Sequence, residues 1–428
     1  MSLARRVQLA RRVAQLSAAG VRCAPRFQGQ TLPGRLALAI DPDFLMHRRD
    51  EGLAVRSILV TGTNGKTTTT ALVKELLGPN ALSNRGSNLP WGVATVLAEG
   101  TSRSRDAVFE VDEAYVPSVA RSLTPAVLVW LNMSRDQLDR SLEVRRLAAR
   151  IAESATDIDT LVANAGDPLI VAHASEFRRC LWVKGPEEWR NDALSCPRCT
   201  SELLYETTWR CVNCGLHEPE ADYQVDAMGQ LSAHGEAIAL LHPGLPGSFN
   251  LLNASLAVVA VAAATGGAVE QLARHATVTR GVEGRFTTWW LTGVETTPSL
   301  TTYLAKNPAG WHANLAMLND ADAELVLGLN AKVADGRDTS WIWDVAFESL
   351  GIGPVIATGE RATDLALRLE VAGFDVTVEA SQRAAIRLAA SRGRNRIVYL
   401  GNYTAFRSLI GDLPALGAIA ALGSEVAL

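Results

Sequence analysis

Short, continuous apolar runs alternate along this chain with amphipathic stretches. The run Ile58–Val60 meets a glycine-rich turn, and an amphipathic segment from Thr67 to Leu77 follows, which predicts strand, loop and helix. Further runs are AVFEV (107–111), AVLVWLN (126–132), TLVAN (160–164) and CLWVKG (180–185), interleaved with helical stretches such as EVRRLAARIAESA (143–155). Strands that are apolar throughout and separated by helices predict a parallel sheet covered on both faces.

The alternation breaks at about 186–222, a polar stretch rich in cysteine. Behind it, residues 223–244 read as hairpin-like strands with glycine turns, and GSFNLLNASLAVVAVAAATG (247–266) opens a long helix. A second α/β alternation begins near 284, with LVLGLN (325–330), PVIATG (354–359), DVTVEA (375–380) and RIVYLGN (396–402). The pattern predicts a helical lead-in over 1–54 that ends in a loop with Pro25, Pro33 and Pro42, an α/β domain over 55–283 and a second α/β domain over 284–428, with the boundary near GVEGRF (281–286).

At 428 residues the chain exceeds what one core serves. Hydrophobic residues at 48% and charged residues at 20% are ordinary for a globular protein. A net charge of -4 without a basic tract argues against a general nucleic-acid binder or an electrostatic membrane anchor. The longest apolar run, 256–269, is Ala-rich and broken by glycines, and reads as a buried helix rather than a membrane span. The N-terminus lacks a signal-peptide core, so a cytoplasmic protein is expected. Six cysteines are too few for a disulfide scaffold, and Cys23 and Cys180 read as ordinary thiols.

Chemistry enters at GTNGKTTT, Gly62 to Thr69. It is shorter than the usual Walker spacing but keeps the Gly-Lys-Thr core. Glycines let backbone N–H groups converge on a polyphosphate, and the following helix N-terminus favours negative charge. Gly62, Thr63, Asn64, Gly65, Lys66, Thr67 and Thr68 are therefore the expected ATP-binding residues, with Lys66 on the β/γ-phosphates and the Thr67 hydroxyl on Mg²⁺. Glu110 closes the apolar run inside FEVDEA, at a strand end where open α/β sheets bind ligands, and is the expected further magnesium ligand. Asp112 and Glu113 stand behind it as candidates.

Cys196 and Cys199 form one CxxC unit, and Cys211 and Cys214 another, eleven residues on. Four thiolates so spaced predict tetrahedral zinc with no open position, a structural site that folds an inserted ribbon.

TGTNGKTTT, FEVDEA, LNMSRDQLDR (131–140), GSFNLLNASLA (247–257) and YLAKNPAG (303–310) occur in the order seen in Mur ligases, and the chain resembles that family over nearly its whole length. The stretch before residue 55 is expected to be too short for the usual N-terminal domain of that family, which holds the UDP-sugar. Gln137 stands where typical members carry histidine, and the cysteine ribbon is a further departure. With LAKNPAG and DGRDTSWIWD (335–344), these features are similar to the MurT branch, the synthetase subunits of lipid II isoglutaminyl synthase. The resemblance implies a Mur ligase-type central P-loop ATPase domain with an inserted four-cysteine zinc ribbon and a C-terminal Rossmann-like α/β domain. It also implies ATP-dependent amidation of the D-glutamate α-carboxyl of lipid II through an acyl phosphate, at the inner face of the plasma membrane. Ammonia would come from a GatD-type glutaminase partner, to whose catalytic triad this chain lends an acid, Asp338 first and Asp344 second. Asp338 equally suits a cap for a helix near Ser340, and Trp341 and Trp343 suit either an interface or a core. Asn250 and Asn253 would flank the nucleotide, although helix capping is an open alternative. Asn88 would lie near substrate.

Two other readings stand beside this one. A Mur-like ligase acting on a soluble carboxylate leaves the ribbon and the acid loop unexplained. A nucleotide-binding scaffold whose ribbon holds nucleic acid demands a basic patch, yet glutamates outnumber arginines between 186 and 222.

Overall fold

The computed structural model describes residues 3–23, 31–84, 86–101, 104–135, 144–186, 189–190, 192–277, 286–294, 297–318, 323–351 and 353–421. Gln137 and residues 281–285 of the expected boundary lie outside these. The chain forms two compact units, the second comprising 134–142, 245–247 and 278–428, the first the remainder.

The first unit is built on strands β1 (Arg56–Thr61), β2 (Leu82–Ser83), β3 (Asp106–Glu110), β4 (Val127–Trp130), β5 (Thr160–Asn164) and β6 (Cys180–Lys184). After a small hairpin, β7 (Leu203–Tyr205) and β8 (Trp209–Cys211), come β9 (Tyr223–Val225), β10 (Gln230–Ala233) and β11 (Glu236–Leu240). The nine-stranded sheet runs β11-β10-β9-β6-β5-β4-β1-β3-β2. It is parallel from β2 to β9, and β10 and β11 are antiparallel. The hairpin-like strands expected after the cysteines thus extend the main sheet, because β9 pairs with β6.

β1 and β4 are buried almost throughout, which is why their sequences are apolar at nearly every position rather than alternating. The helix Ser248–Thr265 is long and apolar enough to cross a membrane, yet it packs on β1, β4, β5, β6 and β9 with an unbroken buried run from Leu252 to Val261. It is a core helix, as the glycine-broken run suggests.

The N-terminal stretch differs from expectation. Residues 31–50 are not a loop but two helices, Leu32–Ile40 and Phe44–Asp50. Pro33 lies in the first turn of the former, where its missing N–H costs nothing. This helix and Leu3–Cys23 pack on the helix Pro90–Glu99 of the first unit.

The second unit has β12 (Phe286–Leu291), β13 (Ser299–Leu304), β14 (Ala323–Gly328), β15 (Pro354–Thr358), β16 (Asp375–Val378), β17 (Arg396–Gly401) and β18 (Ala418–Ala420). Their order is β16-β15-β14-β17-β13-β12-β18, parallel from β16 to β13 with antiparallel β12 and β18 at one edge. Both units are the mixed α/β sheets expected of a Mur ligase fold.

Candidate functional site

The phosphate loop forms where β1 hands over to the helix Lys66–Leu77, and β1 lies between β3 and β4, where the sheet order reverses. That position places the loop at the C-terminal edge of the sheet. Gly65 adopts φ 88°, and a Cβ there would stand 2.6 Å from the Asn253 side chain, so the loop needs glycine at this point. Asn253 is therefore brought against the loop, and its amide donates to Asn250 Oδ1 at 3.3 Å. Both asparagines are buried, and the helix carrying them begins at Ser248, so neither is its cap residue.

Asn132, just beyond β4, clamps the loop from the other side. Its carbonyl accepts from the Thr63 N–H at 3.0 Å and its Oδ1 from the Asn64 N–H at 2.9 Å, while Nδ2 donates to the Asn64 carbonyl at 3.0 Å. Lys66 Nζ donates to the Gly62 carbonyl at 2.5 Å and to Glu113 Oε1 at 2.9 Å. Thr68 is buried and Thr67 half-buried in the first turn.

The carboxylate beside Lys66 is thus Glu113 rather than Glu110. β3 ends at Glu110, whose backbone is tied on both sides to Asn84: its N–H donates to Asn84 Oδ1 and its carbonyl accepts from Nδ2, each at 2.8 Å. A short 3₁₀ turn, Glu113–Tyr115, capped by Asp112 accepting from the Ala114 N–H, then swings Glu113 inward. The Asn88 carbonyl accepts from the Asp112 N–H at 2.8 Å, so Asn88 steadies this turn through its backbone. A buried carboxylate beside the loop lysine, with the Thr67 hydroxyl in the same helix turn, is a donor set that suits Mg²⁺.

Behind the clamp lies Asp167, which sequence reasoning missed. It is buried and accepts from the Met133 N–H at 2.6 Å and the Leu169 N–H at 2.9 Å, fixing the residue next to Asn132. Burial pushes its carboxyl up to about 6 against the pull of these backbone donors. Between about pH 4 and pH 6 the folded chain therefore holds a proton that the unfolded chain has lost, and stability falls as pH rises through that window, by roughly 3 kcal/mol. In denaturant titrations, the unfolding free energy of Asp167→Asn relative to that of wild type should rise by roughly 3 kcal/mol as the pH is raised from about 4 to about 6, because only the wild type loses this proton-linked stability. Parallel pH profiles would contradict the assignment.

The four cysteines converge. Their sulfurs all lie within 4.8 Å of one another, with Cys196 to Cys214 at 3.5 Å and Cys199 to Cys211 at 3.4 Å. The two CxxC turns are built alike: Thr200 (φ 64°) and Gly215 (φ 74°), each four residues after the first cysteine of its pair, take the left-handed turn that closes the knuckle. The N–H groups of Asn213 and Cys214 point at Cys211 Sγ, both at 3.4 Å, and draw its thiol below the ordinary value. The Ser201 hydroxyl and N–H bring Cys199 down to about 6, and burial pushes Cys196 up to about 12. One metal ion fits among these sulfurs. The ribbon also has a small apolar cluster, completed from outside the insert: Trp209, Leu203, Leu216 and Ala193 pack with Val171 of the helix Pro168–Ala174, and Trp209 Nε1 donates to the Ala165 carbonyl at 3.3 Å. It borrows an apolar face that the insert's own composition does not reveal.

In the second unit, Asp338 and Asp344 are exposed in the segment after β14. Asp338 Oδ1 accepts from the Ser340 N–H at 2.8 Å, ahead of the 3₁₀ turn Ser340–Asp344. Asp344 pairs with Arg135 at 3.1 Å. Trp341 is core, packed on Trp311 at 6.0 Å between ring centroids, whereas Trp343 is 51% exposed. The two tryptophans, alike in sequence, are thus opposite in role.

Comparison with known proteins follows the two units. Residues 60–261 match the Mur ligase middle domain and residues 304–406 the MurT ligase C-terminal domain. The chain is 30% identical over 426 residues to the MurT subunit of the glutamine-hydrolysing lipid II isoglutaminyl synthase of Streptococcus pneumoniae (strain ATCC BAA-255 / R6), covering 90% of this chain and 93% of that one. The corresponding subunit of Staphylococcus aureus (strain COL) is 30% identical over 390 residues, 82% and 85% of the two chains. Among solved structures, MurF from Acinetobacter baumannii superposes with a TM-score of 0.65 at 18% identity over 89% of this chain and 80% of that one. A pseudomurein peptide ligase type C from Methanothermus fervidus gives 0.64 at 19% identity over 84% and 78%. These two show the shared fold.

Proposed function

The chain belongs to the MurT family of Mur ligase-like subunits, and from that premise we propose that it is the ATP-dependent synthetase that amidates the D-glutamate α-carboxyl of the lipid II stem peptide. The observation that carries the reading is the phosphate loop with its buried Lys66–Glu113 pair, in a chain that matches these subunits over most of both lengths. A carboxylate is a poor electrophile because its leaving group is oxide. Attack of the carboxylate oxygen on the γ-phosphoryl group releases ADP and gives an acyl phosphate; ammonia then adds to the carbonyl carbon, phosphate leaves and a proton is lost. Lys66 and the loop N–H groups stabilise charge on the phosphoryl oxygens, and Asn250 and Asn253 line the nucleotide side. Thr67 with Glu113, and Glu110 at the neighbouring strand end, would hold Mg²⁺, which neutralises phosphate charge when bound. Cys196, Cys199, Cys211 and Cys214 would hold zinc, which cross-links the ribbon.

Ammonium is not a nucleophile, so a glutaminase of the GatD type must release ammonia beside the acyl phosphate. Its Cys–His pair needs a carboxylate to orient the base. Asp338 supplies it in this reading: it is exposed and its one described bond is to a local N–H, whereas Asp344 is already paired with Arg135. The same reading puts the reaction on the cytoplasmic side of the membrane, where the precursor is built.

The test is amidation of lipid II by this chain with a co-encoded glutaminase. Asp338→Asn should lower glutamine-dependent turnover by about 10²–10⁴-fold and leave turnover with added ammonium intact. Unchanged glutamine use would move the role to Asp344. Failure of the wild type to amidate lipid II, with ATP hydrolysed on another carboxylate, would replace the reading altogether.

A further inference from the structure

The ends of β14 and β17 carry a polar network that the chemistry above does not use. The two strands are parallel neighbours, and each is followed by an asparagine, Asn330 and Asn402. The Asn330 N–H donates to Asn402 Oδ1 at 3.0 Å, and Asn402 Nδ2 donates back to the Asn330 carbonyl at 2.7 Å. Asn330 Nδ2 reaches Thr404 Oγ1 at 3.1 Å, and its Oδ1 accepts from the Glu360 N–H at 2.8 Å. The centre of the network is Asp335, only 4% exposed. Its carboxylate accepts from the Thr404 N–H at 2.8 Å, the Lys332 N–H at 3.1 Å and the Thr404 hydroxyl.

A carboxylate buried this deeply is costly unless its lone pairs are used, and here three donors converge on it. What the arrangement secures is the loop. Asp335 closes the turn from Lys332, its own N–H donating to the Lys332 carbonyl at 2.8 Å, and ties that turn to the start of the helix Tyr403–Asp412. Three residues on, Asp338 is exposed, and three residues beyond that Trp341 is buried against Trp311. The peptide 337–340 is therefore a short outward span held at both ends by buried anchors, one a hydrogen-bonded carboxylate and one aromatic.

We propose that Asp335, through Thr404, is the positioning residue that holds the Asp338 loop in the geometry a partner glutaminase needs. The inference rests on the reading that Asp338 completes the partner's triad. Asp335 is buried, and it acts by fixing where Asp338 is presented, since a carboxylate that orients a histidine works only when held to a fraction of an ångström.

The experiment uses the full chain with its glutaminase, lipid II and ATP, and measures kcat and KM for glutamine alongside turnover with ammonium chloride, for Asp335→Asn, Thr404→Val, Thr404→Ser and Asp338→Asn. Asp335→Asn and Thr404→Val should each lower glutamine-dependent kcat by about 10–100-fold, with KM for glutamine and ammonium-dependent turnover kept within about twofold. Thr404→Ser, which keeps the hydroxyl, should behave as wild type. Parallel loss of glutamine and ammonium turnover in both Asp335→Asn and Thr404→Val would overturn the proposal and make the network a fold determinant. Unchanged glutamine kcat in both would overturn it as well. If Asp338→Asn keeps full glutamine turnover, it is the acid assignment itself that fails, whereas loss in Asp338→Asn with none in the Asp335 and Thr404 variants sinks the positioning role alone.

Discussion

Lys66→Met should lower ATP-dependent turnover by about 10²–10³-fold, the loss expected when one preorganised donor to developing charge is removed. The same change has a second consequence. Lys66 and Glu113 side chains are only 7% and 10% exposed, so losing the lysine leaves a buried carboxylate without its partner, at a cost of about 3–5 kcal/mol. Inactivity of the single variant could therefore come from a weakened fold. The double variant Lys66→Met/Glu113→Gln separates the two effects, because a neutral amide in place of the carboxylate carries no unpaired charge. It should regain most of the melting temperature and none of the turnover. A single variant that melts like wild type would show that the pair is not buried as described, and one that retains turnover would remove Lys66 from the phosphate site.

Cys211→Ser should strip the ribbon of its metal and open it. Structural zinc contributes about 10–16 kcal/mol of apparent binding free energy in isolated zinc-finger peptides, far more than a cluster built on Trp209, Leu203 and Leu216 supplies alone. The expected result is zinc in the purified wild-type chain and little in the variant, with proteolysis concentrated between 192 and 218. Because Trp209 is buried with its indole on the Ala165 carbonyl, its emission should shift to the red on opening. The damage should reach the sheet only locally, since the ribbon lies between the paired strands β6 and β9. Metal-free wild-type protein with an intact ribbon would dismiss zinc and leave four thiols in an apolar cluster.

Several features were legible in the chain because local chemistry determines them. A Gly-Lys-Thr turn between an apolar run and an amphipathic one folds as strand, loop and helix through nearest-neighbour preferences, and the sheet around it agrees. The cysteine spacing likewise carried its own geometry, as each knuckle is closed by a residue a few positions away. The parallel strands of both units were visible as apolar runs, whereas Pro33 was misleading: as a breaker it suggested a loop, and as a first-turn residue it starts a helix.

The partners of those local features were decided only by the tertiary structure. Glu110 and Glu113 are equally acidic on the page, yet the bond of Glu110 to Asn84 and the turn capped by Asp112 bring the second, not the first, to Lys66. Asn132 and Asp167 stand 68 and 34 residues from the groups they bond, and Asp335 lies 69 from Thr404. Trp341 and Trp343 differ by which side of one 3₁₀ turn meets Trp311. Sequence by itself determined the chemistry that short spacings build: the phosphate loop, the thiolate cluster and the apolar strands. Which carboxylate faces the lysine, which asparagine clamps the loop and which aspartate is tied down depend on contacts between distant segments, and these exist only once the sheet has brought its strand ends together.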